Sequence, residues 1–231
     1  MDAWQIFYQQ MFEYEGYKNV LDGLKNTVLI AIFGLIIGMI LGCLLAITKI
    51  IPKTGIISKT LSVITDVYVA VFRGTPMVVQ LLLIHFVIFP AMEINIPILT
   101  EAILAFGLNS GAYVAEIMRG GILSVDGGQT EAGRALGLNY RQTMMRIVLP
   151  QAVKNVVPTL GNEFIVLVKE TSIVSFIAVS DLTKAFRAIG DANYEYIIPY
   201  LTLAVVYLAI VMLITLGIRM MERRFRRSER A

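Results

Sequence analysis

Two sets of polar residues interrupt long apolar runs. Asn109, Tyr113 and Glu116 recur at i, i+4 and i+7, on one face of a helix. Asn155, Thr159 and then Asn162 or Glu163 form a second stripe of the same period. Asp66 and Arg73 interrupt a third run, 61–89. Amides, a phenol and carboxylates in hydrocarbon can replace the water shell of a polar solute in transit. Such stripes face a bundle interior or a water-filled path. Glu163 lies about 13 Å from Lys154 along a helix that rises 1.5 Å per residue, near mid-membrane. A carboxylate there costs several kcal/mol unless paired. It suits contact with a cationic or zwitterionic solute, or a buried structural pair. Lys169 and Glu170, further on, read as structural or gating groups.

Other chemistries find no support. The one histidine, His85 beside Phe86, makes a poor Ser/His arrangement. One cysteine, Cys43, excludes a disulfide framework, and the pair excludes a His/Cys metal cluster. Gly-Lys never occurs, so no G-x-x-x-x-G-K-[ST] phosphate loop is present and the chain does not hydrolyse ATP by that means.

The elements that must position these groups are membrane helices. Of 231 residues, 57% are hydrophobic and 16% charged, with mean hydropathy +0.72. Soluble domains run nearer 45–50% apolar and about 25% charged. About 20 apolar residues cross a bilayer. The pattern predicts an all-α membrane protein and one transmembrane domain, 1–231. Its five spans lie at about 27–48, 60–89, 98–118, 151–179 and 196–218. The second span is kinked at Arg73-Gly74-Thr75-Pro76. Gly34, Gly38 and Gly42 give the first span a flat packing face. Residues 1–26, rich in aromatics, are either an amphipathic segment on the membrane surface or the interfacial start of that span. The region 90–97 reads as a short loop and 181–195 as a polar loop with a short surface helix. The fifth span, almost free of polar residues, reads as peripheral.

Between spans three and four lies a charged helical loop, about 120–150. Asp126 with Gln129, and Asn139 with Gln142, predict capping boxes for two short helices. Gly137 is the expected stop between them, and Pro150 ends the second. The basic residues orient the chain. With the carboxyl end cytoplasmic, the segments 49–59, 119–154 and 219–231 hold 14 of 20 lysines and arginines, and the outer segments hold four. The positive-inside bias puts the amino terminus outside and the charged loop in the cytoplasm.

Glu131-Ala132-Gly133, then Gly137, then Ile147-x-Leu149-Pro150 resembles the EAA loop of ATP-binding-cassette importer permeases, with Gly133 for the second alanine. Arg73-Gly74-Thr75-Pro76, the 109–116 run and Gly161-Asn162-Glu163-Phe164 with Lys169-Glu170-Thr171-Ser172 are similar to signatures of the polar amino acid branch. The branch often has an acid three residues before the arginine; here Ala70 stands there, and Asp66 lies one turn earlier. The resemblance implies a type I importer permease in a bacterial inner membrane. It implies a path lined by Asp66, Asn109, Tyr113, Asn162 and Glu163. It also implies docking of a cytoplasmic ATPase through Glu131, Ala132, Gly133, Arg134, Gly137 and Arg141. Arg73, Gly74, Thr75 and Pro76, like Lys169 and Glu170, would be structural or gating. ATP and magnesium would sit on the ATPase, and the chain itself would hold no cofactor. Two ATPase copies, a second permease subunit, an outside amino-acid-binding protein and the lipid bilayer are the expected partners; nucleic acid is not. Cationic amino acids are slightly favoured over glutamine or glutamate. The competing class is an ion-coupled secondary transporter, which ordinarily shows internal repeats.

Overall fold

A computed structural model describes residues 2–51 and 55–227, with side chains through 223; Pro52 and Lys53 of the first basic loop and Arg230 lie outside the described residues, as do the side chains of Arg224, Arg226 and Arg227. All regular structure among the described residues is helical. The chain opens with α1 (Ala3–Tyr8), which widens into a π turn (Gln9–Glu13) and stops at Glu15, left-handed with φ 58°. Helix α2 (Gly16–Ile50) then runs 35 residues without a break, about 52 Å long at the α-helical rise. The two readings of residues 1–26 therefore divide the region. Residues 3–13 are a separate segment, and 16–26 are the start of the first span.

Helix α3 (Ile56–Gly74) is followed by α4 (Met77–Leu83), a π turn (Ile84–Ile88) and the single turn α5 (Phe89–Ala91). The expected kink at 73–76 is a full break: the two halves meet at 108°. Thr75 and Pro76 are extended, with ψ of 148° and 139°. Proline lacks an N–H and forces the residue before it out of the helical region, so the chain turns a corner here.

Helix α6 (Ile98–Leu123) lies along α2. Gly34, Gly38 and Gly42 face Phe106, Ser110 and Val114, while Gly107 and Gly111 lie under Ile37 and Leu41. A Cβ on Gly38 would stand 2.6 Å from Ser110 Oγ and 3.1 Å from the Ser110 carbonyl carbon, so neither helix can yield cheaply. Gly38→Leu is expected to cost about 3 kcal/mol by overpacking. A detergent melting curve matching the wild type would disprove this packing.

Two short helices follow, α7 (Gly127–Ala135) and α8 (Tyr140–Thr143). A π turn (Met144–Val148) then leads straight into α9 (Leu149–Glu170). Pro150 therefore does not end the second short helix; it sits in the first turn of α9. Pro90 repeats the arrangement, since the π turn Ile84–Ile88 also ends two residues before a proline. A proline ring collides with the carbonyl four residues back in a regular helix. A wide turn inserts one residue, shifts that carbonyl and lets the helix continue. The region 90–97 accordingly begins as helix rather than loop. Pro158 is also accommodated inside α9.

The α-helix α9, where the fourth span is expected, ends at Glu170, short of 179, and tightens into a 3₁₀ segment (Thr171–Ile177). Helix α10 (Leu182–Asp191) is capped by Asp181, whose carboxylate accepts from the backbone of Thr183 and Lys184. Its apolar face, with Leu182, Phe186 and Ile189, is buried. Helix α11 (Ile197–Arg227) is the peripheral helix, most of its surface exposed. α2, α6 and α11 are each long and apolar enough to cross a bilayer, and the bent α3–α5 pair makes a fourth candidate. α9 is not among them, because its polar stripe and charges keep it too hydrophilic. The main core joins Ile30, Leu81, Phe106, Leu167, Val174 and Ile177.

Candidate functional site

The break between α3 and α4 frees backbone groups that hydrocarbon cannot satisfy. Gln80, buried one turn into α4, meets that need. Its Nε2 donates to the carbonyls of Phe72 (2.8 Å) and Thr75 (3.0 Å) and to Thr75 Oγ1 (2.8 Å). Its Oε1 accepts from Asn109 Nδ2 at 2.8 Å. Asn109, expected in the path, is thus buried and bonded to protein. Gln80 was not singled out by the sequence reading. Its signal was available: a lone amide in an apolar run, four residues after a proline.

Below the break, Glu116 gathers cations from three helices. Lys49 Nζ of α2 approaches to 2.8 Å, Arg119 Nη2 to 2.8 Å and Arg73 Nη1 of α3 to 3.8 Å. Lys49 also meets Asp66 at 2.9 Å. Arg73 stands over the Tyr113 ring, 5.4 Å from its centroid. The partners of Arg73 are therefore Glu116 and Tyr113, which make up for Ala70. Two of the stripe residues, Tyr113 and Glu116, belong to this cluster, as does Asp66. The Tyr68 hydroxyl donates to the Leu108 carbonyl, and the Thr48 and Thr65 hydroxyls pair at 2.8 Å, fastening α3 to α6 and α2.

On α9 the structure separates neighbours that the sequence reading offered as alternatives. Glu163 is buried against α6 and accepts from Ser110 Oγ at 3.0 Å. Asn162, 100° around the helix, is exposed in line with Asn155, Thr159 and Lys169. Glu170 is half-buried where α9 tightens. A further pair went unread: His85 Nδ1 lies 2.5 Å from Glu101 Oε2, in the first turn of α6.

The loop is a closely packed hairpin. Asn139 and Gln142 form the full capping box, whereas Asp126 caps α7 alone, through Gly128, and Gln129 bonds Gln151 instead. Gly137, φ 78°, closes α7 as a Schellman turn: Leu138 N–H reaches the Gly133 carbonyl and Gly137 N–H that of Arg134. Gly133 is buried, and a Cβ there would lie 2.7 Å from Thr143 Cγ2, so this glycine lets α7 press on α8. Glu131, Ala132, Arg134, Gly137 and Arg141 are exposed, with Leu136 beside them 78% exposed. The Tyr140 hydroxyl donates to the carbonyl of Ile50 at 3.1 Å, tying the hairpin to the end of α2. Asn155 bonds Ser124 at 2.8 Å, tying α9 to the end of α6.

A helical bundle with a sharply broken helix pair, buried polar groups and an exposed hairpin at one end suits a transport permease. The chain belongs to the family described as the binding-protein-dependent transport system inner membrane component, whose pattern matches residues 34–227. It is 38% identical to the arginine transport system permease protein ArtQ of Bacillus subtilis, over 91% of this chain and 94% of that one. It is 36% identical to the putative glutamine transport system permease protein GlnP of Rickettsia bellii, over 89% and 92%. Among solved structures, an amino acid ABC transporter with histidines superposes with a TM-score of 0.85 at 37% identity, over 94% of this chain and 98% of that one. The fold is that of type I importer permeases, embedded in a bacterial membrane. In this family the permease works with a separate ATPase, which hydrolyses the ATP, and with a substrate-binding protein.

Proposed function

We propose that this chain forms the translocation path of an ATP-driven importer of polar amino acids, cationic ones slightly preferred. The exposed hairpin carries the reading. Its buried glycine and caps make it stiff, and its outer side offers Glu131, Ala132, Arg134 and Arg141 to a cytoplasmic ATPase. Two permease copies, identical or different, would stand on two ATPases. Five spans would place the amino terminus outside and the carboxyl terminus inside, as the lysine and arginine bias requires. Closure of the ATPase dimer on ATP would push the hairpin, which passes the movement to α2 through Tyr140 and to α9 directly. The path would then open alternately to each side.

The exposed Asn162 would line that path, while Glu163, buried against α6 and bonded to Ser110, would hold α9 beside it. Asn109 would act through Gln80 by holding the broken helix. Asp66 and Tyr113 would line its inner end beside the Glu116 cluster. Arg73 to Pro76 would be the hinge, and Lys169 with Glu170 would stand at the opposite mouth. Glutamine or glutamate is the alternative cargo. Competition of labelled arginine uptake by glutamine and by lysine, in reconstituted vesicles, separates these. Glu131→Lys is expected to leave ATP hydrolysis running while uptake falls at least about tenfold, the effect of losing roughly 1.4 kcal/mol of coupling. Coupled uptake at the wild-type rate would remove the hairpin from the mechanism.

A further inference from the structure

The hairpin's tie to α2 ends one residue from the charge cluster. Tyr140 Oη donates to the carbonyl of Ile50, the last residue of α2. Lys49, the residue before it, holds carboxylates on two other helices, Asp66 of α3 at 2.9 Å and Glu116 of α6 at 2.8 Å. Its side chain is largely buried, and both contacts have the length of charge-assisted hydrogen bonds. Beside it, Thr48 Oγ1 pairs with Thr65 Oγ1 of α3 at 2.8 Å. The end of α2 thus grips α3 at Thr65 and Asp66. Asp66 stands eight residues before Gly74, about 12 Å from the corner at the helical rise. The corner has room to change its angle, since a Cβ on Gly74 would meet no described atom within 4 Å. Val63, Ile64 and Val67 on α3 are exposed, whereas α4 beyond the corner is fixed in the core by Leu81. Gln80, bonded to Phe72 and Thr75, pins the pivot itself.

We propose that Lys49 is the positioning residue that carries the hairpin's movement from α2 to α3, which swings about the Gly74–Pro76 corner relative to α4. This rests on the reading of the hairpin as the ATPase contact. Tyr140, Lys49 and Asp66 act in series. Glu116 fixes where the ammonium sits, and Asp66 is the group it pulls.

The test uses the permease with its ATPase in nanodiscs. Spin labels go on Val63→Cys of α3 and Leu83→Cys of α4, both exposed positions, with the native Cys43 changed to serine. A swing of about 10° moves Val63, eleven residues from Gly74, by about 3 Å. Electron–electron resonance should read a shift of that size between the nucleotide-free and ATP–vanadate states. Lys49→Met should abolish the shift and lower uptake about tenfold while ATP hydrolysis continues, the scale of a lost coupling. This variant still folds, because Glu116 keeps its bonds to Arg119 and the Asp66 side chain is 57% exposed. Lys49→Arg, which still reaches both acids, should keep the shift. Tyr140→Phe should reduce it, and adding Tyr140→Phe to Lys49→Met should cost no more uptake than Lys49→Met alone, as parts in series require. A full shift in Lys49→Met, or losses of the two variants that add, overturns the proposal. So does a wild type that couples uptake to ATP with the labels at fixed separation. A wild type with no ATP-driven uptake sinks the hairpin reading, and this relay with it.

Discussion

Gln80→Leu is expected to destabilise the subunit by about 3 kcal/mol, since the buried Asn109 amide and the half-buried Phe72 carbonyl lose their partner together and each costs about 1–3 kcal/mol. The carbonyls of Phe72 and Thr75 and the Asn109 amide all depend on this one side chain. Gln80 and Asn109 are both buried, so water does not readily take over the bond between them. Asn109→Leu removes one bond of the set and should cost about 1–2 kcal/mol. The double variant should fall short of the sum of the two, because Gln80 and Asn109 share a bond. Denaturation of the purified protein in mixed micelles reads all three. Wild-type stability for Gln80→Leu would mean that the break is held by something else.

Glu116→Ala should cost about 3 kcal/mol, the scale for removing one partner of a largely buried ion pair. The side chain is only 17% exposed and that of Lys49 12%, so Lys49 would be left desolvated with Asp66 alone. Arg119→Ala and Arg73→Ala should cost less, because those side chains are 41% and 43% exposed and solvent already screens them. Adding Lys49→Met to Glu116→Ala should recover part of the loss, since the uncompensated charge goes with it. Salt should change little, as buried pairs are weakly screened. If Glu116→Ala and Arg119→Ala prove equally mild, the cluster does not join the three helices in the way described.

Both experiments concern groups from distant parts of the chain, and that marks the boundary of what the sequence carried. The membrane class followed from composition alone, because hydrocarbon excludes charge over any span. The glycine face of α2 was legible because four-residue spacing always lands on one side of a helix. The hairpin was legible because caps, Schellman turns and left-handed glycines act within six residues of chain. Gly137 and the Asn139–Gln142 box stand where local chemistry put them. Even there, the role of Gly133 emerged only when Thr143 came against it.

Tertiary structure decided the rest. It alone brought Lys49, Asp66, Arg73 and Glu116 together, since their meeting depends on how three helices rotate and slide against one another. It turned the kink at Pro76 into a 108° corner, because Gln80 and Asn109 were there to satisfy the freed backbone. It carried the chain past Pro90 and Pro150 through wide turns, a choice between breaking and bulging that packing makes. It sent Glu163 inward and Asn162 outward, because one residue along a helix is 100° of rotation and only the neighbouring helices fix the zero of that angle.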